Sequence, residues 1–159
     1  MVLLHGFTQT GVSWRPVLDA LRPLLPGVEV VAPDLAGHGA ADPALDGSDL
    51  AASAAAVAAR CGRALYVGYS MGGRTALRLA LDHPGAVAGL VLLGATAGID
   101  DPAARAERRA ADGALAARIE DGGVAAFLDR WLALPLFDGL EPAADDLAAR
   151  RANRPEGLA

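Results

Sequence analysis

The stretch ALYVGYSMGGRTALRLALDH, residues 64–83, constrains the fold more than any other part of the chain. It opens as a short, continuous apolar run, the pattern of a strand buried on both faces. It continues from Gly72 with apolar residues at helical spacing. At the junction lies G-x-S-x-G, formed by Gly68, Ser70 and Gly72. A sharp strand-to-helix turn that holds a serine in a strained backbone conformation needs small residues on both sides, because bulk there would collide with the neighbouring strand and helix. The helix that begins after Ser70 also points N–H groups and a partial positive charge at any anion developing beside it. Ser70 is therefore the candidate nucleophile. A buried serine in a tight turn is the alternative without chemistry.

The same alternation runs through the first hundred residues. MVLLH reads as a buried strand, and SWRPVLDALRPLL as a helix with Ser13 as its N-cap. VEVVAPD reads as a second strand ended by Pro33, and SDLAASAAAVAARC as an alanine-rich helix with Ser48 in the capping position. ALYVGY and VAGLVLLGA supply a third and a fourth strand around the helix GGRTALRLALDH. Strand and helix in turn predict an α/β fold, a mostly parallel sheet with helices on both faces. After Gly98 no strand pattern recurs. Helical stretches follow, broken at Gly122-Gly123, Pro135 and Pro142. The expected organisation is a sheet-bearing core over residues 1–97 and a helical cap over 98–159.

Composition narrows the function classes. Hydrophobic residues make up 53% of the 159, so the chain is a folded one, but aromatics are only 4% and the core must rest on Leu, Val and Ala. All 14 basic residues are arginine, and the formal net charge of −5 leaves no basic surface for nucleic acid. No apolar segment approaches a membrane span. The single cysteine, Cys61, excludes an internal disulfide, and the chain opens on MVLLHG without the basic region of a signal peptide. The expectation is a cytoplasmic protein with no nucleic-acid or membrane partner, no cofactor and no metal.

Two further segments bear on Ser70. HGF, His5 to Phe7, follows the first strand, where a loop must supply the second N–H of an oxyanion hole. Phe7 is the candidate donor there and Met71 the other. APDLAGHG after the second strand contributes Pro33, Asp34, Gly37, His38 and Gly39. The H-G-x loop, the P-D-x-x-G-x-G turn and the G-x-S-x-G elbow, in this order, resemble the α/β-hydrolase family. In that family the histidines matching His5 and His38 shape loops, and His83, in LDHP, ends a helix where the dipole favours an imidazole. None of the three follows a late strand, where the family's catalytic histidine stands, and Asp34 and Asp82 are equally poor matches to its acid. The family order is Ser, then Asp or Glu, then His. The resemblance thus implies a piece of a longer protein, cut at both ends and inactive by itself.

Within the family, GYSMGGRTALRLALDHP and the segment from LLGATAGIDD to RRANRPEGLA are similar to the 2-succinyl-6-hydroxy-2,4-cyclohexadiene-1-carboxylate synthases of menaquinone biosynthesis. That likeness implies a lyase eliminating pyruvate from 2-succinyl-5-enolpyruvyl-6-hydroxy-3-cyclohexene-1-carboxylate. A small polycarboxylate needs fixed cations, and the planar fork of arginine suits carboxylates. Arg74 lies just past the elbow glycines. Arg105, Arg108 and Arg109 are spaced to share a helix face, and Arg150, Arg151 and Arg154 form a second group. The resemblance suggests Arg74, Arg109 and Arg151 as carboxylate contacts, with Trp131 and Phe137 lining the pocket. Residues 100–159 hold eight arginines against twelve acids, so pairing on a solvated surface is the competing account. A serine hydrolase of esters or lactones, and a non-catalytic truncated module, remain the other readings. The sequence leaves the oligomeric state open.

Overall fold

The computed structural model describes residues 1–47 and 49–159. Three strands form a parallel sheet in the order β1 (Val2–Leu4), β2 (Ala64–Tyr69), β3 (Val87–Leu93). Leu3 pairs with Val67, and Val67 with Val91, so the carboxyl ends of all three strands open on one side. That is the side on which open α/β sheets bind ligands.

The expected second strand, VEVVAPD, is not one. It reduces to a single bridge between Val2 and Val31, held by Leu3 N–H to Val31 O at 2.8 Å and Val31 N–H to Met1 O at 3.0 Å. Its partner β1 is only three residues long, and Pro33 has no N–H to extend the ladder. The fourth expected strand is β3. It is the sheet edge, and its Val91, Leu92 and Leu93 stay 38–43% exposed.

Helix α1 (Arg15–Leu21) follows a 3-10 turn, Gly11–Trp14, whose N-cap is Thr10 rather than the expected Ser13. Ser13 is instead the N3 partner of that capping box, and its hydroxyl donates to the Asp146 carboxylate. Helix α2 (Leu50–Cys61) is capped by Asp49, which accepts from Ala52 N–H at 2.8 Å. The Ser48 cap expected from sequence lies outside the described residues. Helix α3 (Met71–Asp82) packs on the sheet with α2 beside it. Their small inward residues, Ala54, Val57, Ala76 and Leu79, close a core with Val2, Leu4, Leu35 and Tyr66.

From Pro102 onward only helices occur among the described residues. Helix α4 (Pro102–Leu132) starts at an Asp-Pro pair, where Asp101 accepts from Ala104 N–H and Pro102 fits the first turn. It kinks at Gly123, whose φ of 74° no helix contains, so the break read at Gly122-Gly123 is a real corner. Short helices α5 (Ala144–Arg151) and α6 (Pro155–Leu158) complete the chain. Ile119, Val124, Phe127, Leu128 and Leu158 bury a second apolar cluster. Phe7, from the loop after β1, packs against it and joins the two halves. No helix among the described residues is long and apolar enough to cross a membrane.

Candidate active site

Ser70 is the N-cap of α3 and has φ 51°, ψ −112°, one of two non-glycine residues with positive φ among those described. Such strain persists only where the surroundings over-determine it. Here the surroundings are backbone. A Cβ on Gly68 would overlap the Gly72 carbonyl and the Gly73 Cα, and one on Gly72 would overlap the carbonyls of Leu4 and His5. Ser70 N–H donates to Leu93 O at 2.8 Å, which anchors the turn to the end of β3. The hydroxyl makes no capping bond. Met71 N–H, at the first position of α3, has no acceptor among the described residues.

The loop after β1 is locked around the other candidate donor. Gly6 N–H donates to Gln9 Oε1 at 2.8 Å, and Gln9 N–H returns to Gly6 O at 3.1 Å. Leu35 N–H donates to His5 Nε2 at 3.0 Å, so that nitrogen is bare and the proton sits on Nδ1, which donates to Gly6 O at 2.9 Å. The Gly6 carbonyl belongs to the same peptide plane as Phe7 N–H, so fixing one fixes the other. Phe7 N–H has no acceptor among the described residues.

The histidines are accounted for. Burial, with His38 beside it, pulls the His5 imidazole down to about 3, and burial lowers His38 as well. Thr8 N–H donates to His38 Nε2 at 3.3 Å, leaving Nδ1 to donate to Ala36 O at 2.9 Å. Both rings are therefore neutral, with both nitrogens spent on backbone. His83 lies past the far end of the twelve-residue α3, about 20 Å from Ser70 along the helix axis. Asp34 accepts from Gly11 N–H at 2.7 Å and Ala40 N–H at 2.8 Å, and Asp82 pairs with Arg78. None of these groups is placed to take a proton from Ser70. No cluster of three or more His, Cys, Asp or Glu able to hold a metal ion occurs among the described residues.

A cavity of about 610 Å³ opens over Ser70 between the sheet and α4. Phe7, Leu115, Ile119, Trp131 and Leu158 form its apolar wall, and Arg74, Arg108, Arg118 and Asp112 its charged one. Trp131 meets Phe7 edge to face at 5.5 Å and lies tilted against Phe127 at 5.6 Å, ring centre to ring centre. The guanidinium of Arg74 has no carboxylate partner among the described residues, whereas Arg108 Nε is shared by both oxygens of Asp112 at 2.8 Å.

Of the residues named from sequence, Ser70, Phe7, Arg74 and Trp131 line this cavity, and Met71 begins the helix beneath it. Three others are placed elsewhere. Arg109 is exposed and does not line the cavity, whereas the neighbouring Arg108, also exposed, does. Arg151 is bound to Asp129 at 2.9 Å on the surface. Phe137 backs Trp131 at 5.7 Å without reaching the wall. Packing sets the register: Arg108, Asp112, Leu115 and Ile119 form one stripe at helical spacing, and its two apolar members are the side that α4 buries. Arg118 belongs to the same wall and was missed.

A strained serine elbow at the carboxyl ends of parallel strands is the arrangement that α/β-hydrolases share, and a family model described as the alpha/beta hydrolase fold matches residues 1–150. The chain belongs to the α/β-hydrolase fold family. It is 35% identical over 159 residues to a putative 2-succinyl-6-hydroxy-2,4-cyclohexadiene-1-carboxylate synthase of Bacillus subtilis (strain 168), with 94% of this chain and 56% of that protein covered. It is 33% identical over 147 residues to the synthase of the same name from Klebsiella pneumoniae (strain 342), covering 90% of this chain and 57% of that one. The chain thus spans just over half the length of these curated relatives. Among solved structures, MenH from S. aureus superposes with a TM-score of 0.85 over 99% of this chain and 62% of that chain, at 26% identity. A thermophilic esterase from Thermogutta terrifontis superposes with a TM-score of 0.75 over 99% of this chain and 59% of that one, at 24% identity, a likeness of fold.

Proposed function

We propose that this chain carries the serine elbow, the oxyanion donors and the substrate pocket of a carbon–oxygen lyase, which eliminates pyruvate from 2-succinyl-5-enolpyruvyl-6-hydroxy-3-cyclohexene-1-carboxylate. The observation that carries the reading is the wall of arginines on the Ser70 cavity. Arg74, Arg108 and Arg118 face one acid, Asp112, in a protein whose net charge is −5. A local excess of fixed cations in an acidic protein suits a polyanionic substrate. The named synthases to which the chain is similar support it.

The chemistry fits the same parts. The ring hydrogen beside the succinyl ketone is acidified by that carbonyl. Its removal sends an electron pair toward the ketone oxygen and, through the ring double bond, breaks the bond to the enolpyruvyl oxygen. The leaving enol becomes pyruvate. Negative charge collects on the ketone oxygen in the transition state, where the N–H groups of Phe7 and Met71 would receive it; losing one such donor costs about 10²–10³-fold in rate. Ser70 relays the proton to a base supplied from outside the described residues. The reading calls for no metal or cofactor.

The elbow and donors serve acyl transfer equally well, so an ester or lactone hydrolase is the second reading. The two separate at Arg74. In enzyme active for pyruvate release, Arg74→Ala is expected to lower kcat/KM by about 1.5–3 kcal/mol, the worth of a hydrogen bond to a charged group, and to leave nitrophenyl-ester hydrolysis nearly unchanged. Equal losses in both assays would make Arg74 a support of the elbow. Fast ester hydrolysis with no pyruvate would establish the hydrolase.

A further inference from the structure

Helix α4 brings two arginines to the Ser70 cavity, and their surroundings differ. Arg108 has an acid at i+4, and its Nε donates to both Asp112 oxygens at 2.8 Å. It stands on the stretch 105–114, which is exposed throughout. Arg118 lies about 15 Å further along the helix axis, where α4 is anchored. Ile119 beside it is fully buried with Phe127 and Leu158, and Leu115 packs on the same cluster. The residues at i−4 and i+4 from Arg118 are Ala114 and Gly122, so neither neighbouring turn offers an acid there. Its Nε donates to Ala114 O at 3.1 Å, which holds the guanidinium against its own helix. Among the described residues no carboxylate forms an ion pair with it. Arg74, in the first turn of α3, has Ser70 at i−4 and Arg78 at i+4 and is unpaired in the same way. The cavity wall thus carries two uncompensated cations from two different helices, and a third that Asp112 balances.

We propose that Arg118 is a specificity-determining residue of the Ser70 cavity: with Arg74 it forms a two-point clamp that selects ligands carrying two separated carboxylates. The inference deepens the reading of this cavity as a polyanion site and rests on it. With Nε tied to the helix, the two terminal nitrogens of Arg118 remain to bind both oxygens of a carboxylate side by side. A monocarboxylate fills one guanidinium at a time. A dicarboxylate long enough to reach both makes its second contact within the complex, at the effective concentration set by its own short chain. The burial of Ile119 keeps the backbone under Arg118 in place, so the spacing of the two cations, and with it the preferred ligand length, is a property of the fold.

The test titrates the chain with linear dicarboxylates from succinate to pimelate and with hexanoate, following ¹⁵N-resolved shifts of the α3 and α4 amides, which need no turnover. The best dicarboxylate is expected to bind at least about tenfold more tightly than hexanoate. Arg118→Gln keeps a good helix former at an exposed position, so the fold is retained. It should weaken the dicarboxylate at least about tenfold, the worth of a hydrogen bond to a charged group. Hexanoate can still use Arg74 and should weaken by no more than about twofold. Arg109→Gln removes the same charge from the neighbouring surface, off the cavity, and should change neither ligand. Three results each overturn the proposal: no dicarboxylate preference in the unsubstituted chain, equal weakening of both ligands by Arg118→Gln, or an equally large effect of Arg109→Gln. In enzyme active for pyruvate release, Arg118→Gln should raise KM about tenfold or more with kcat little changed. The titration decides on Arg118 whether or not pyruvate is released, so the lyase reading and the clamp fail separately.

Discussion

Acidification should unfold this protein through His5. The folded ring titrates at about 3, because burial and the neighbouring His38 disfavour its charged form. In the unfolded chain it titrates near the ordinary 6.5. A depressed folded value means that the unfolded state takes up protons first, so stability is fully present above about pH 6.5 and is lost as pH falls toward 3. At pH 5 the unfolded imidazole is protonated about 30 to 1 and the folded one scarcely at all, which corresponds to a loss of about 2 kcal/mol relative to pH 7. His38 shifts in the same direction and adds to it. Protonation would also break the bond from Leu35 N–H to Nε2, so the cost falls on the loop that carries Phe7. The assay is urea unfolding at pH 7 and pH 5, on the wild type and His5→Gln. Glutamine is expected to be less stable at pH 7, by about 1–3 kcal/mol for the broken buried bonds. Its further loss between pH 7 and pH 5 should be smaller than the wild type's by about 2 kcal/mol. Parallel losses in the two proteins would refute the assignment of a buried neutral ring.

Ser70→Gly should raise the melting temperature while abolishing turnover, since glycine adopts φ 51° freely and the strain relieved is worth about 1–3 kcal/mol; an unchanged or lower melting temperature would show that the elbow is not strained. Gly72→Ala should destabilise by about 1–3 kcal/mol or abolish folding, because its methyl meets the Leu4 and His5 carbonyls, which are sheet and loop backbone with nowhere to go. Denaturant unfolding of the purified variant checks this, and near-wild-type stability would contradict the packing described.

Ser70 was legible because what makes an elbow is local. Gly68 and Gly72 are needed by atoms within a few residues or in the adjacent strand, and short-range sterics leave their mark directly in the string of residues. The same holds for the Asp-Pro start of α4 and its corner at Gly123, where one residue's φ decides the outcome. Pairing is different. VEVVAPD has every local property of a strand, yet Val31 makes one bridge, since the ladder depends on how far β1 extends beside it. Arg108 and Arg109 are adjacent in sequence and identical in chemistry, and only the side of α4 that packs on Phe7 and Leu158 turns one of them to the cavity. His5 and His38 stand in motifs that the family resemblance marks as loop-shaping, but nothing in the string names their backbone partners, and Asn153, which binds the Thr8 carbonyl, carries no signature at all. Each is defined by a backbone group from another segment, 30 to 145 residues distant, and that proximity exists only once the chain has closed.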